Sequence, residues 1–455
     1  MPVEHRRGVV ALALTAAFMV FVDGTIVHLT LAQLASQLHA SRSDLEWVVD
    51  AYTLSFAAVM LGAGAVTDAL GAKRAFVTGL LVFTAASAVC AAAGSMLVLN
   101  LARLVQGAGS ALLLPSALVL ATASAADERA RHRLVGWWAS AAGVGMAVGP
   151  LFGGALVSLA DWRAVFAVNV VIGILAVGWS LRAIPAVPAK ERHRLDVAGV
   201  GAATVLIGGL VFALIEGPVR GWGSPPVLAA AGLAVAGVLG FVVAERSVRA
   251  PLLPVGVYSD RGFVTAAVQG ALFNFAFYGL LFAMSLMLQQ GRGLDALTSG
   301  LLFLPLTGLI PVGTMCAAPF AQRVGRRAVL GIGQAALAVT LLAVAWAGTA
   351  PALWPLVVAL VPTGLSAGLL APTMISQSIA AVEPALHGAA SAAFNTCRQV
   401  GAAIGIAIFG PVLGTAQGLA SGFVACVVVS AAATAAALVL TSLVRPAPAV
   451  KALAA

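Results

Sequence analysis

Two charged residues in this chain stand where charge is expensive. Asp23 lies fifteen residues into an apolar run that begins at Gly8, a rise of ~22 Å if the run is helical. Arg103 lies inside another such run, ~9 Å from its opposite end, so the two fall at similar depth. A lone charge in hydrocarbon costs about 3 kcal/mol or more, which predicts that both face a protein interior. Burial and a nearby guanidinium pull a carboxyl's proton affinity in opposite directions, so such a pair can be tuned to take up and release protons. A static ion pair that ties helices together is the plainer alternative. Asp50, about one turn inside a further run, reads either as an acidic residue at a mouth or as a proton- or cation-binding group.

Other polar residues share helical faces within apolar runs. Asn395, Arg398 and Gln399 are spaced i, i+3, i+4, and Asn274 and Tyr278 are spaced i, i+4, so each set projects from one side of a helix. Facing lipid they would be costly, so they are expected to line a cavity. Gln377 reads equally as a cavity or an interfacial residue, and Phe273, Phe275 and Phe277 as packing or lipid-facing. Gly145, Gly149 and Gly153 repeat every fourth residue, with Pro150 among them. Small residues on one face allow close helix approach, and the proline is expected to bend the helix. Gly401 and Gly405 suit the same part elsewhere. The glycines mimic a dinucleotide fingerprint, but no strand precedes them, so no nucleotide cofactor is inferred.

The elements that must position these residues are long apolar helices. The 455 residues are 61% hydrophobic and only 9% charged, with mean hydropathy +1.04. About a quarter of a soluble domain is charged. Spanning ~30 Å of hydrocarbon takes ~20 residues of helix, and on that criterion about fourteen runs occur between residues 8 and 443. Barrel strands would alternate, and these runs do not. The start of the chain, with Arg6 and Arg7 before an apolar run, resembles a signal peptide but is read as an uncleaved first span.

The net charge is +9. Nucleic acid is not the reason, because the basic residues are spread over alternate loops. With the N-terminus inside, nineteen Lys and Arg fall on the cytoplasmic side and four outside, and Arg103 and Arg398 within spans complete the 25. The positive-inside rule then puts both termini in the cytoplasm of a multi-pass cell-membrane protein. Cys90, Cys316, Cys397 and Cys426 all lie in apolar runs and read as free core residues without metal-ligand spacing.

The chain also repeats itself. Gly71-Ala-Lys-Arg follows the second run and Gly325-Arg-Arg the tenth, 254 residues on; Gly107 with Pro115 recurs as Gly364 with Pro372 at an offset of 257. That argues for two parallel six-helix halves, residues 1–184 and 251–455, with two inserted spans in 185–250.

Several segments resemble the fourteen-span drug/proton antiporters of the major facilitator superfamily, over the whole chain. Asp23-Gly-Thr-Ile-Val-His28 resembles that family's first-helix signature, with His28 where Asn is usual. Trp47-Val-Val-Asp50-Ala-Tyr52 resembles the opening of its second helix. Gly64, Asp68, Gly71, Lys73 and Arg74 resemble its loop motif, although Ala69 and Ala72 replace basic residues. In the second-half copy Gln322 stands where the acid would be. Arg103-Leu-Val-Gln106-Gly107 resembles the fourth-helix motif, and Gly145, Gly149, Pro150, Gly153 and Gly154 the antiporter motif of the fifth helix. The resemblance implies gating at the loop motif, proton coupling at the fourth-helix motif and export at the fifth. For Asp68, capping of the third helix, at ~1 kcal/mol, is expected together with a latch.

The expected architecture is thus an all-α membrane protein, two six-helix bundles plus two extra spans. The function the resemblance implies is export of small amphipathic drugs or antibiotics by proton-coupled alternating access around a midplane site. Uptake or movement of one specific metabolite is the nearest rival. An integral membrane enzyme or a channel has no supporting constellation, and no cofactor or metal is implied. The expected partners are a small-molecule substrate, protons and the bilayer, with the chain acting as a monomer.

Overall fold

A computed structural model describes residues 3–184, 196–247, 253, 255–383, 386–415 and 418–443. Fourteen helices are long and apolar enough to cross a membrane. In chain order they are α1 (Arg6–Gln37), α2 (Arg42–Thr67), α3 (Ala72–Ala92), α4 (Met96–Ala123), α5 (Glu128–Leu159), α6 (Trp162–Ala183) and α7 (Ala198–Arg220). They continue with α8 (Pro225–Ser247), α9 (Arg261–Gly291), α10 (Ala296–Val324), α11 (Arg326–Thr349), α12 (Trp354–Ala380), α13 (His387–Gly414) and α14 (Leu419–Ser442). No strand occurs among the described residues. Helices close their own backbone hydrogen bonds, which lipid cannot supply.

Several loop carboxylates sit at helix starts, where they accept backbone N–H groups that the helix leaves unpaired. Asp44 completes a capping box with Ser41. Asp127 accepts from Ala130 N at 2.6 Å, Asp196 from Gly199 N at 2.7 Å, Asp260 from Gly262 N at 2.7 Å and Asp295 from Thr298 N at 2.7 Å. The helix of α2 runs on through Leu70, so Asp68 stands in its last turns, and Gly71, with positive φ, breaks the helix and holds the N-cap position of α3. The side chain of Asp68 lies outside the described residues, as do Lys190, Arg192, Arg194, Arg249, Arg445 and Lys451 of the basic count and the junctions near 185 and 250.

Helix pairing is the same in α1–α6 and α9–α14. The contacts α1–α5, α2–α4, α3–α4 and α3–α6 have counterparts in α9–α13, α10–α12, α11–α12 and α11–α14. Gly107 packs on the Tyr52 carbonyl, leaving a Cβ only 2.2 Å, and Gly364 packs on the Leu306 carbonyl at 2.1 Å. Gly71 and Gly325 both turn the chain with φ of 82° and 86°, a conformation that glycine adopts without strain. Lys73 then reaches the Ile184 carbonyl at the end of α6, and Arg327 reaches the Ser442 carbonyl at the end of α14 at 2.6 Å.

The two sets of helices meet along two seams, α2 with α13 and α5 with α10. Among the described residues, four hydrogen bonds cross between them. They are Thr396 to Ala57 O (3.2 Å), Thr307 to Ala147 O (2.8 Å), Leu297 N to Ser158 Oγ (3.0 Å) and Ser285 to His28 O. The last three lie between mid-span and the face where α1 ends, called the far face below, and the Thr396 bond lies just to the other side of mid-span. α7 packs on α8 and against both α2 and α13, so the extra pair covers one seam.

Candidate functional site

Asp23 is the centre of a buried polar cluster in the first six helices. Its run is helical to Ile26, then tightens into a 3-10 turn over Val27–Thr30. One oxygen accepts Arg103 Nη1 of α4 at 2.6 Å, and neither side chain has any exposure. The other accepts Gln106 Nε2 at 3.0 Å and Asn169 Nδ2 of α6 at 2.7 Å. Arg103 also donates through Nε to the Val48 carbonyl of α2 at 3.0 Å and through Nη1 to Gln106 Oε1 at 2.8 Å. Its guanidinium lies 4.3 Å from the centroid of the Tyr52 ring. Gln106 donates onward to Ser87 of α3 at 2.8 Å, and the Tyr52 hydroxyl to Ser110 at 2.9 Å.

Five helices thus contribute to the network around one carboxylate. Arg103 is also held by the Val48 carbonyl, Gln106 and the Tyr52 face, so its place does not depend on Asp23 alone. Arg103 Nη2 is buried without a partner, so one donor remains available. Gln106 lies i+3 from Arg103 and shares its face. Asn169 and Ser87 were not singled out from sequence, although Asn169 is the one amide in the α6 run.

The matching region of the second half is built differently. Arg398 of α13 donates to Asn274 Oδ1 of α9 at 3.2 Å, and Asn274 Nδ2 approaches Gln399 Oε1 at 3.5 Å. The Arg398 stem lies over Gly270, where a Cβ would meet Cγ at 3.0 Å. Among the described residues no carboxylate pairs with Arg398. Arg398, Asn395, Gln399 and Tyr278 are half-buried, whereas Asn274 is buried. Asn395 turns back to its own helix, donating to the Ser391 carbonyl at 2.9 Å, and so does not join the Asn274 group. Gln377 reaches the Gly262 carbonyl at 3.5 Å.

The glycines of α5 divide between two partners. A Cβ at Gly145 would come 2.7 Å from Phe18 O, at Gly149 2.0 Å from Thr25 Oγ1 and at Gly153 2.7 Å from Ile26 O, all on α1. The stripe therefore packs within its own half, as a close-approach face against α1. Gly154 and Pro150 are the seam residues: a Cβ at Gly154 would lie 2.4 Å from Ala296 O, and one at Gly300 2.6 Å from Pro150 O. Gly401 and Gly405 pack on Ala271 and Phe275 of α9, the counterpart of the α1–α5 contact. Gly64 has open space around it, and Arg74 is exposed. Among the cysteines, Cys316 is exposed and Cys397 half-buried, so only Cys90 and Cys426 are core residues.

Asp50 is fully buried, and both of its oxygens lack hydrogen-bond partners. It stands one turn from Glu46 on the face of α2 that meets α13.

The family model for the Major Facilitator Superfamily matches residues 13–406 and again 310–455. The chain belongs to that superfamily. It is 37% identical over 388 residues to the methylenomycin A resistance protein of Bacillus subtilis (strain 168), covering 84% of this chain and 82% of that protein. It is 33% identical over 407 residues to the methylenomycin A resistance protein of Streptomyces coelicolor, covering 88% and 86%. With the tetracenomycin C resistance and export protein of Streptomyces glaucescens it shares 31% identity over 324 residues, 71% of this chain and 60% of that one. Among solved structures, a POT family transporter in complex with a thioalcohol-conjugated peptide superposes with TM-score 0.71 at 13% identity, covering 96% of both chains. The human organic anion transporter MFSD10 does so with TM-score 0.63 at 15% identity, covering 97% of this chain and 100% of that one; these two speak to fold alone. The protein is a multi-pass membrane transporter with fourteen spans, not an enzyme.

Proposed function

We propose that the transporter is a proton-coupled exporter of small amphipathic antibiotics or drugs, working as a single chain by alternating access. The observation that carries the reading is the Asp23–Arg103 pair, fully buried at 2.6 Å and set in a polar network that draws on five helices, its own two included. An equilibrium between two conformations shifts only by differential affinity, and a carboxylate gripped by this many packed helices binds its proton differently when they move. Export of antibiotics is supported by relatives named for resistance to methylenomycin A and tetracenomycin C. Asn274, Tyr278, Asn395, Arg398 and Gln399 are the substrate wall, Gly154 and Pro150 join the moving seam, and Gly64, Asp68, Gly71, Lys73 and Arg74 govern the near side. Residues 1–184 and 251–455 act as the two rocking halves and 185–250 as the insert, with both termini cytoplasmic.

The test uses everted vesicles carrying the protein, acidified inside, with a pH dye reporting proton efflux as candidate antibiotics are added. The expected result is substrate-dependent efflux with wild type and none with Asp23→Asn at matched membrane amounts. Substrate-dependent efflux that survives Asp23→Asn would reject this pair as the coupling site.

A further inference from the structure

A second pair of carboxylates is buried in the molecule, away from Asp23, and donors are missing around it. Glu46 and Asp50 are one helical turn apart on α2, 2% and 0% exposed. Glu46 Oε2 and both Asp50 oxygens have no hydrogen-bond partner. Their face is not the one that serves Asp23: Tyr52, two residues beyond Asp50, turns to α4 and Arg103. The Glu46–Asp50 face meets the opposite half. Glu46 lies directly on Gly410 of α13, where a Cβ would stand 1.7 Å from Oε1. Further along the same stripe the Ala57 carbonyl accepts from Thr396 of α13. The pair therefore sits in the α2–α13 seam, on the part of it that seals the far face.

The insert braces this place. Glu216 of α7 accepts from Ser43 Oγ at 2.7 Å and from Trp47 Nε1 at 3.1 Å, both on α2 and flanking Glu46. Arg220 donates to its other oxygen at 2.5 Å. Hence α7 holds α2 on one side of Glu46 while Gly410 closes the other.

Ionised carboxylates buried without donors are strongly disfavoured, whereas neutral carboxyl groups are tolerated. The charged groups nearby do not neutralise them. Arg42, on the outermost turn of α2, packs beside Gly414 and makes no ion pair among the described residues. Arg220 is committed to Glu216, and Arg103 to Asp23. Arg398 of α13 is bound to Asn274; α3 carries Lys73 and Arg74 only at the opposite face, and α1 contributes His28 and His39 near its far end. No group of three His, Cys, Asp or Glu side chains suited to a metal occurs among the described residues. A proton is the neutralising species that fits.

We propose that Glu46 and Asp50 form a second proton-binding site built into the far-side seam, which must be protonated for the halves to close there. When the seam parts, water reaches both carboxyl groups and accepts their protons; when protons return from that side, the carboxylates lose their charge and can be buried again against Gly410. The site rests on the reading of the protein as a proton-coupled transporter, but it acts as a gate rather than as the Asp23 coupling centre.

The experiment measures the far-side opening directly. Spin labels at Ser36 and Gln290, both exposed on that face, report the distance between the halves in nanodiscs, with Cys90, Cys316, Cys397 and Cys426 replaced by serine. Across a pH range of about 5 to 9, which brackets ordinary and displaced carboxyl titration, the long-distance population of wild type is expected to grow as pH rises. Glu46→Gln with Asp50→Asn should hold the distance short at every pH, while Glu46→Asp should keep the response. Gly410→Ala should favour the long distance throughout. A wild type without pH response, or a double variant that responds like wild type, overturns the site. If the double variant does not insert, the single Asp50→Asn must shift the titration for the proposal to stand. Asp23→Asn is expected to lose coupled export yet keep the far-side response. Should Asp23→Asn abolish that response instead, the titrating group is Asp23 and the proposal falls; should coupled export be absent while the gate titrates, it is the proton-coupled reading that fails.

Discussion

The polar centres of the two halves differ more than anything else about them. In the first half a carboxylate and a guanidinium cancel each other in complete burial, and amide groups fill the second carboxylate oxygen. In the second half Arg398 is half-buried, bonded to an amide, and paired with no carboxylate among the described residues. The helices around them pair in the same way, so the divergence is in side chains and not in scaffold. A satisfied buried ion pair has little to offer a ligand but can respond to a proton. An accessible guanidinium with spare donors can recognise a ligand's acceptor atoms. Repetition of one helical frame allows the two tasks to be separated.

The sharpest way to break this contrast is to remove one charge from each half. Arg103→Ala leaves Asp23 buried without its counter-charge, and losing one member of such a pair costs about 3–5 kcal/mol. A large drop in thermal stability in detergent is expected, with Arg103→Lys recovering part of it. Arg398→Gln should leave the melting temperature nearly unchanged while weakening substrate binding. A charge-assisted hydrogen bond is worth about 1.5–3 kcal/mol, a loss of roughly 10- to 100-fold in affinity. Equal stability losses for both variants would erase the division of labour.

Two glycines on neighbouring faces of α5 refine it. Gly149→Ala forces a methyl against Thr25 within the first half, and overpacking of this kind costs about 1–3 kcal/mol; stability should fall, measured by thermal unfolding. Gly154→Ala meets the Ala296 carbonyl of α10 instead. Its expected effect is a larger far-side opening in the spin-label measurement, with less loss of stability. The smallest effect is at Asp295, outside the spans. Hydrogen bonds from Thr298 hold its carboxyl below the usual range. Its contribution is thus present above the ordinary carboxylate pKa and fades as pH falls through the lowered value. Asp295→Ala should cost about 1 kcal/mol as a lost cap, detectable as a small decrease in melting temperature near neutral pH that vanishes in acid.

Much of this was legible in the chain itself. Apolar length alone yields fourteen spans, because hydrocarbon thickness leaves little choice. Asp23 and Arg103 announced themselves as charges that need partners, since nothing around them in sequence is polar enough to solvate them. The partners were harder. Asn169 is a single amide in an apolar run, a weak signal until the fold brings α6 to α1. The α5 glycines show that periodicity reveals a face but not its neighbour: the spacing predicts a close-packed stripe, and only the fold shows that α1 fills it. Gly71 ends α2 through a backbone conformation that only its lack of a side chain signals in sequence. Cys316 was read as core because apolar runs do not say which side meets lipid. Glu46 carried no signal of its own, lying near a helix start where acids are common; only the approach of Gly410 from the other half makes it unusual.

The placement of α7 and α8 has one more consequence. Among the described residues they pack at the α2–α13 seam and not at the α5–α10 seam, so one seam is backed by further helices and the other is not. Amphipathic compounds dissolve in the leaflet and arrive sideways, at concentrations far above those in water. For such a molecule the protein has a front and a back. On the proposed reading, a compound arriving through the leaflet meets α5 and α10 directly on one side and the inserted pair on the other.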